Sequence, residues 1–128
     1  MTITGISQAG GGNVTITNAG GITLNGGDTV TGGNLTLTAT GGVINQTGGV
    51  ISANLLTTSS AGGTTLNNAN TVTGFNATNI TSGDVSLTNS GSLGITGITQ
   101  NVGNLNITNT GTITQSGRSE EHTSELQS

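Results

Sequence analysis

Very few side chains in this sequence could do acid–base chemistry, so they can be placed one by one. Residues 1–117 carry only two acids, Asp28 and Asp84, and no lysine, arginine, histidine or cysteine. Carbohydrate-cleaving chemistry needs facing carboxylates, one to protonate a leaving group and one to act as base or nucleophile. Asp28 closes a Gly-Gly-Asp turn. Asp84 follows Gly83 at a place where its counterparts are mostly asparagine. Both read as turn residues bonding to nearby backbone. Calcium-binding nonapeptide β-rolls need an aspartate in every turn, because the ion takes six or more oxygens. Gly26–Gly27–Asp28 is a single partial match to that pattern. Nucleic acid would require a basic patch, which this stretch lacks. The expectation is a protein that is no enzyme, with no catalytic, cofactor-binding or metal-binding residue, no nucleic-acid partner and no small-molecule substrate.

The composition points to an unusual architecture. The chain of 128 residues has 24 glycines, no proline, cysteine or tryptophan, one aromatic residue (Phe75), and 5 % charged residues. Globular chains average roughly 25 % charged residues. At 29 % the hydrophobic fraction is too low for broad packed layers, and the low net charge of the body argues against disorder. A solenoid, with a thin core and a neutral hydrogen-bonding surface, satisfies both limits. No basic residue leads an apolar segment at the start, and no apolar run approaches the roughly 18 residues of a membrane span. The chain is expected to begin inside a repeat array.

A landmark, a small residue followed by Asn or Asp, recurs at Gly12–Asn13, Gly33–Asn34, Ala53–Asn54, Gly83–Asp84 and Gly103–Asn104. A period near twenty residues with strand-like alternation marks stacked β-coils. Counting from the landmark, one inward column is Val14, Leu35, Leu55, Val85 and Leu105, and another is Ile16, Leu37, Thr57, Leu87 and Ile107. A second strand supplies Ile22, Val43, Leu93 and Ile113, with Gly63 breaking the column. A third supplies Val30, Val50 or Ile51, Val72 and Val102. These assignments rest on the period-two alternation of strands. The reading is all-β: a parallel β-helix, or β-solenoid, of roughly five coils, about 20 residues each, over residues 1–117.

One unit departs from the period. Matching Thr71–Gly74 to Thr29–Gly32 leaves Phe75–Ser82 as an excess. A loop or irregular strand leaving the solenoid is favoured over an extra short strand in a widened coil. Phe75 is either part of a binding loop or a plug for a local gap.

Outward positions are rich in Thr-x-Thr, as at Thr15/Thr17 and Thr36/Thr38. Such ranks resemble the surface of β-solenoid ice-binding proteins. Taken in landmark register, the outward column Thr15, Thr36 and Ser86 is interrupted by Leu56 and Asn106. The landmark Asn and Asp residues are expected to bond along the solenoid axis. Asn-x-Ser/Thr triplets begin at Asn13, Asn34, Asn45, Asn76, Asn79 and Asn106, as a sequence rich in Asn and Thr makes almost automatic.

The stretches GNLTLTATGG (33–42), NTVTG (70–74) and SGDVSLTNSG (82–91) resemble the haemagglutination-repeat region of filamentous-haemagglutinin-like bacterial exoproteins. The resemblance covers residues 1–117. It implies a right-handed parallel β-helix acting as a rigid stalk or adhesive segment, extracellular or on the bacterial outer surface, exported by two-partner secretion or as an autotransporter passenger. The implied partners are a receptor on a host or neighbouring cell and further coils of the parent chain. Residues 118–128, RSEEHTSELQS, hold Arg118, Glu120, Glu121, His122 and Glu125, lack the landmark, and resemble a translated sequencing adapter. They are set apart as a non-repeat tail, an artefact of assembly. Alternatives to the stalk are an ice-binding solenoid and a functional-amyloid subunit, since a strand stack ends in unpaired edges.

Overall fold

A computed structural model describes residues 1–115 and the strand backbones at 119–120 and 123–127. Its described elements are all strands: β1 (Thr2–Ile3), β2 (Ile6–Gln8), β3 (Val14–Asn18), β4 (Ile22–Leu24), β5 (Asp28–Val30), β6 (Leu35–Ala39), β7 (Ile44–Gln46), β8 (Ile51–Ser60), β9 (Thr64–Asn79), β10 (Val85–Asn89), β11 (Leu93–Gln100), β12 (Asn104–Asn109), β13 (Ile113–Gln115), β14 (Ser119–Glu120) and β15 (Thr123–Gln127). Every pairing is parallel. Parallel neighbours need a crossover between them, and here the crossover is the rest of the lap. Val14 lies beside Leu35, and Leu35 beside Leu56, a step of about 21 residues. The chain is a β-solenoid of about five laps.

Each lap alternates between two sheets. The first sheet collects β1, β4, β7, the start of β9, β10, β12 and β15; the second collects β2, β3, β5, β6, β8, the remainder of β9, β11, β13 and β14. Between them lies the core, where Leu24, Leu35, Leu37, Ile44, Leu66 and Leu87 are almost wholly hidden from solvent. Aliphatic and β-branched side chains suit this narrow interior because each stacks on its like in the next lap. Laps turn on glycines. Gly83 and Gly103 have φ of +84° and +85°, and a Cβ on either would collide with a glycine carbonyl of the preceding lap, Gly62 or Gly83.

The register corrects several sequence expectations. Leu35 pairs with Leu56, which is buried, while Leu55 is only half-buried at the corner. The inward residue after it is therefore Thr58, not Thr57. Val85 and Leu105 do pair with each other, but on the first sheet, so Leu35 and Leu105 never share a column. Val43, Val50 and Val102 are exposed, and Ile44 and Ile51 take the inward places.

Phe75–Ser82 does not leave the solenoid as a loop, since only residues 80–82 lie outside the strand, in the turn, and the coil holding it is not widened. Phe75–Asn79 is the end of β9, in register with Leu56–Ser60 before it and with β11 after it. Phe75 lies in the core between Leu56 and Ile95. The long landmark spacing has another cause. In the first laps the five-residue strand that follows a landmark (β3, β6) runs on the second sheet; in later laps it (β10, within β12) runs on the first. The motif moved half a lap while the winding kept its period. Two irregularities absorb the change: Thr96 is skipped between Ile95 and Gly97, and β9 carries extra residues between Leu66 and Asn70.

Of the tail set apart above, residues 118, 121, 122 and 128 lie outside the described residues, and with them Arg118, Glu121 and His122. The backbones of β14 and β15 run parallel to β11 and β12.

Two substitutions test the register. Leu56→Ala is expected to lower unfolding free energy by about 3 kcal/mol and Phe75→Ala by about 4 kcal/mol. Leu55→Ala is expected to cost about 1 kcal/mol or less. Denaturant unfolding of the three variants ranks them, and a larger loss at Leu55 than at Leu56 would contradict the pairing.

Candidate functional surface

The corrected register changes what the outer face of the second sheet presents. Successive laps set Thr15 beside Thr36, Thr57 and Asn76, and Thr17 beside Thr38, Ser59, Thr78 and Thr99. Leu56 does not interrupt this array, because it points inward. Asn106 does not interrupt it either, because β12 lies on the other sheet. The result is two adjoining ranks of hydroxyl-bearing residues, with Asn76 and the Gly97 beside it the exceptions. Laps are about 4.8 Å apart, and alternate residues of a strand about 6.7 Å. At the bulge, the Thr96 hydroxyl donates to Phe75 O at 3.3 Å and accepts from Asn76 Nδ2 at 3.3 Å. Beside these ranks, a shallow hollow of about 270 Å³ opens where Ala61 leaves space between Thr40 and Ile80, with Ser59 and Thr78 on its wall.

The landmark residues bond along the axis, as expected. Asn13 Oδ1 accepts the Asn34 amide at 2.9 Å, and Asn34 Oδ1 accepts the Leu55 amide at 3.2 Å. Asp84 Oδ1 accepts the Asn104 amide at 2.8 Å. The residue in step with Asn34 is thus Leu55, and Asn54 sits one place early.

Inside the tube the structure reveals two further ladders. At one corner Gln46 and Asn70 exchange hydrogen bonds of 2.7 and 3.2 Å, and Asn70 Oδ1 also accepts the Ile51 amide at 2.8 Å. One lap on, the Asn89 carboxamide accepts from Val72 N at 2.8 Å and donates to Val72 O at 3.0 Å, as a neighbouring strand would. Asn89 Nδ2 also reaches Asn109 Oδ1 at 3.2 Å. At the opposite corner Asn18, Ala39, Ser60, Asn79 and Gln100 form one column. There Asn18 donates to Gly21 O, Asn79 to Gly83 O, and Gln100 to Asn104 O, each tying a strand end to the next turn. A carboxamide that replaces a missing peptide partner removes the penalty of burying backbone polar groups. The sequence signal was available: Asn or Gln recurs one residue after the outward threonine at Asn18, Asn79, Asn89, Gln100 and Asn109.

Asp28 departs from this economy. It sits inward in β5 between Ile6 and Ile51, fully hidden from solvent, and neither carboxylate oxygen has a hydrogen-bond partner among the described residues. Loss of hydration pushes its carboxyl up from 3.8 to about 6, while the Ile6 amide draws it the other way. Asp84, in the turn before β10, belongs to the axial ladder, so the two acids have different surroundings. Among the described residues no three His, Cys, Asp or Glu side chains gather as a metal site would require.

Parallel laps joined by their own backbone and tied by amide ladders define a repeat-built β-solenoid. The chain belongs to the family described as repeats of unknown function (DUF5649), whose model matches residues 11–80 and 82–122. The two matched stretches meet in the turn between β9 and β10. No curated protein and no solved structure matches the chain.

Asn89→Ala strips partners from both Val72 backbone groups and is expected to cost about 3 kcal/mol. Asn34→Ala, which removes one acceptor near the surface, is expected to cost about 1 kcal/mol. Thermal or urea unfolding measures the difference, and equal effects would remove the distinction between buried and axial ladders.

Proposed function

We propose that this chain is a structural stalk and adhesive surface segment of a large bacterial exoprotein, secreted or held at the cell surface. The observation that carries the reading is the use made of its polar groups. Inside the tube, carboxamides join lap to lap, and among the described residues the outer face is left as a repeating neutral array with no clustered acids. Such an arrangement supplies length and rigidity without performing a reaction. The likeness of GNLTLTATGG and SGDVSLTNSG to haemagglutination repeats supports the same conclusion. The partner is a cell-surface receptor, met by the hydroxyl ranks. No residue acts as catalyst.

Small-angle scattering of the chain, and of two copies joined in tandem, is expected to show one cross-section and a length that grows by about 4.8 Å per lap. A tandem form that is wider instead of longer would overturn the stalk. Beads coated with the chain are expected to hold to cell surfaces under flow and to lose that hold when Thr36→Glu and Thr38→Glu are combined. Retention no better than that of beads carrying an unrelated neutral protein would remove the adhesive role.

A second reading is favoured by one observation: in the true register Leu56 and Asn106 drop out, and the rank Thr17, Thr38, Ser59, Thr78 and Thr99 runs unbroken. A neutral grid of hydroxyls and methyls at fixed spacing fits an ice surface. Thermal hysteresis that vanishes in the Thr36→Glu, Thr38→Glu variant, with its fold intact by circular dichroism, would select ice binding. The stalk reading expects no hysteresis in either protein.

A further inference from the structure

We propose that Asp28 makes the seam joining the first laps a pH-responsive joint, tight while its carboxyl carries a proton and loosened once the carboxyl ionises. The argument begins with the column it occupies. Parallel pairing places Asp28 between Ile6 of β2 and Ile51 of β8, where an aliphatic side chain would complete the stack. The backbone there is satisfied: Asp28 N donates to Val50 O at 3.0 Å and Ile6 N to Gly27 O at 3.1 Å. Only the carboxylate lacks partners, and its exposure is 0 %. A neutral acid can be held in such a place at modest cost, whereas an anion there needs water or a donor.

The surroundings offer no charge in compensation, and the one donor nearby, the Ile6 amide, is already engaged by Gly27 O at 3.1 Å and only partly offsets the lost hydration. Within residues 1–83 Asp28 is the sole ionisable side chain. The strands packed against it, β2 with Ile-Ser-Gln and β8 beginning Ile-Ser-Ala, carry no titratable group. The other ionisable group in that stretch, the Met1 amine, donates to Gly21 O at 3.0 Å. The ionised carboxylate therefore gains hydration only by movement of the laps around it. The shorter neighbour is β2, three residues long against ten in β8, and its Ile6 is only partly buried. Opening at β2 admits water to Asp28 and leaves β8 in place.

The direction with pH follows from linkage. Below about pH 4 the carboxyl is protonated whether the seam is open or closed, so the seam is tightest. Between about 4 and 6 the open form loses its proton first, and closure weakens as pH rises. Above about 6 both forms are ionised and the weakening is complete. This opposes the familiar behaviour of salt-bridged acids, which stabilise at neutral pH.

Amide hydrogen exchange on the intact chain tests the joint, with rates corrected for intrinsic pH dependence. Protection at Ile6–Gln8 and Asp28–Val30 is expected to fall at least about tenfold between pH 4 and pH 7. Protection at Leu87 and Ile107 is expected to stay level over the same range. Asp28→Asn and, in case the amide packs poorly, Asp28→Ile are each expected to flatten the profile at Ile6–Gln8, and Asp84→Asn to leave it unchanged. A level profile in the unsubstituted chain, or a fall that persists in both Asp28 variants, would overturn the proposal.

Discussion

The structure depends on one interaction, the parallel pairing of each lap with the lap beneath it at a step of about 21 residues. No single lap could hold its shape. It hides only a few aliphatic side chains, each worth roughly 1.5–3 kcal/mol, and ordering its backbone costs about 1–2 kcal/mol per residue. Pairing gives each interior lap a hydrogen-bond ladder on both sides and covers both faces of each core layer. The core can then be one side chain thick, and a sequence with few apolar residues can fold. The same dependence sets the tolerance of the design. A strand can lengthen, as β9 does, or skip a residue, as at Thr96, provided the neighbouring lap still finds its partner.

How much of this could be read in advance follows from the same interaction. Period and strand alternation are written in the sequence because every lap must repeat the one before, so the solenoid was legible. Phase was not. The landmark marks the turn before a five-residue strand, and such a strand can lie on either sheet. When it moved from the second sheet to the first between Phe75 and Val85, the sequence showed a long gap where the structure shows an ordinary lap. The choice of Leu55 over Leu56 failed for a related reason. Both are leucine, and only the identity of the lap beneath, with Leu35 opposite Leu56, selects between them. The error then spread outward and made the threonine ranks look broken.

The internal carboxamides escaped the reading because polar residues in strands are ordinarily assigned to the outside. Asn70, Asn89 and Asn109 point inward at a corner where two strands diverge and backbone groups lose their partners. Asparagine carries a peptide-like group on one methylene, so it can stand in for the missing strand. The axial ladder was easier to anticipate, since its asparagines sit beside glycine in turns, a familiar place for them. Asp28 gave a sequence signal identical to a turn residue, and only the register with Ile6 and Ile51 shows that it faces inward.

The scarcity of charge also follows from the stacking. A residue placed on an outer face finds its own kind about 4.8 Å away on the next lap, and again on the one after. Two like charges about 4 Å apart repel by about 1 kcal/mol even in bulk water, and a column of them accumulates that cost at every lap. Threonine and asparagine carry no charge, and both can donate and accept, so the same repetition that penalises lysine or glutamate favours them. Asp84 shows the limit of the rule. It occupies a landmark place held in the other units by asparagine and accepts the Asn104 amide as an asparagine would. The landmark residue of the next unit is the neutral Asn104, so its charge stands alone. A second aspartate at position 104 would set two carboxylates on successive laps, where the present pair leaves one. The composition that first marked this sequence as unusual is thus the chemistry a parallel stack selects when every side chain must tolerate a near-copy of itself as a neighbour.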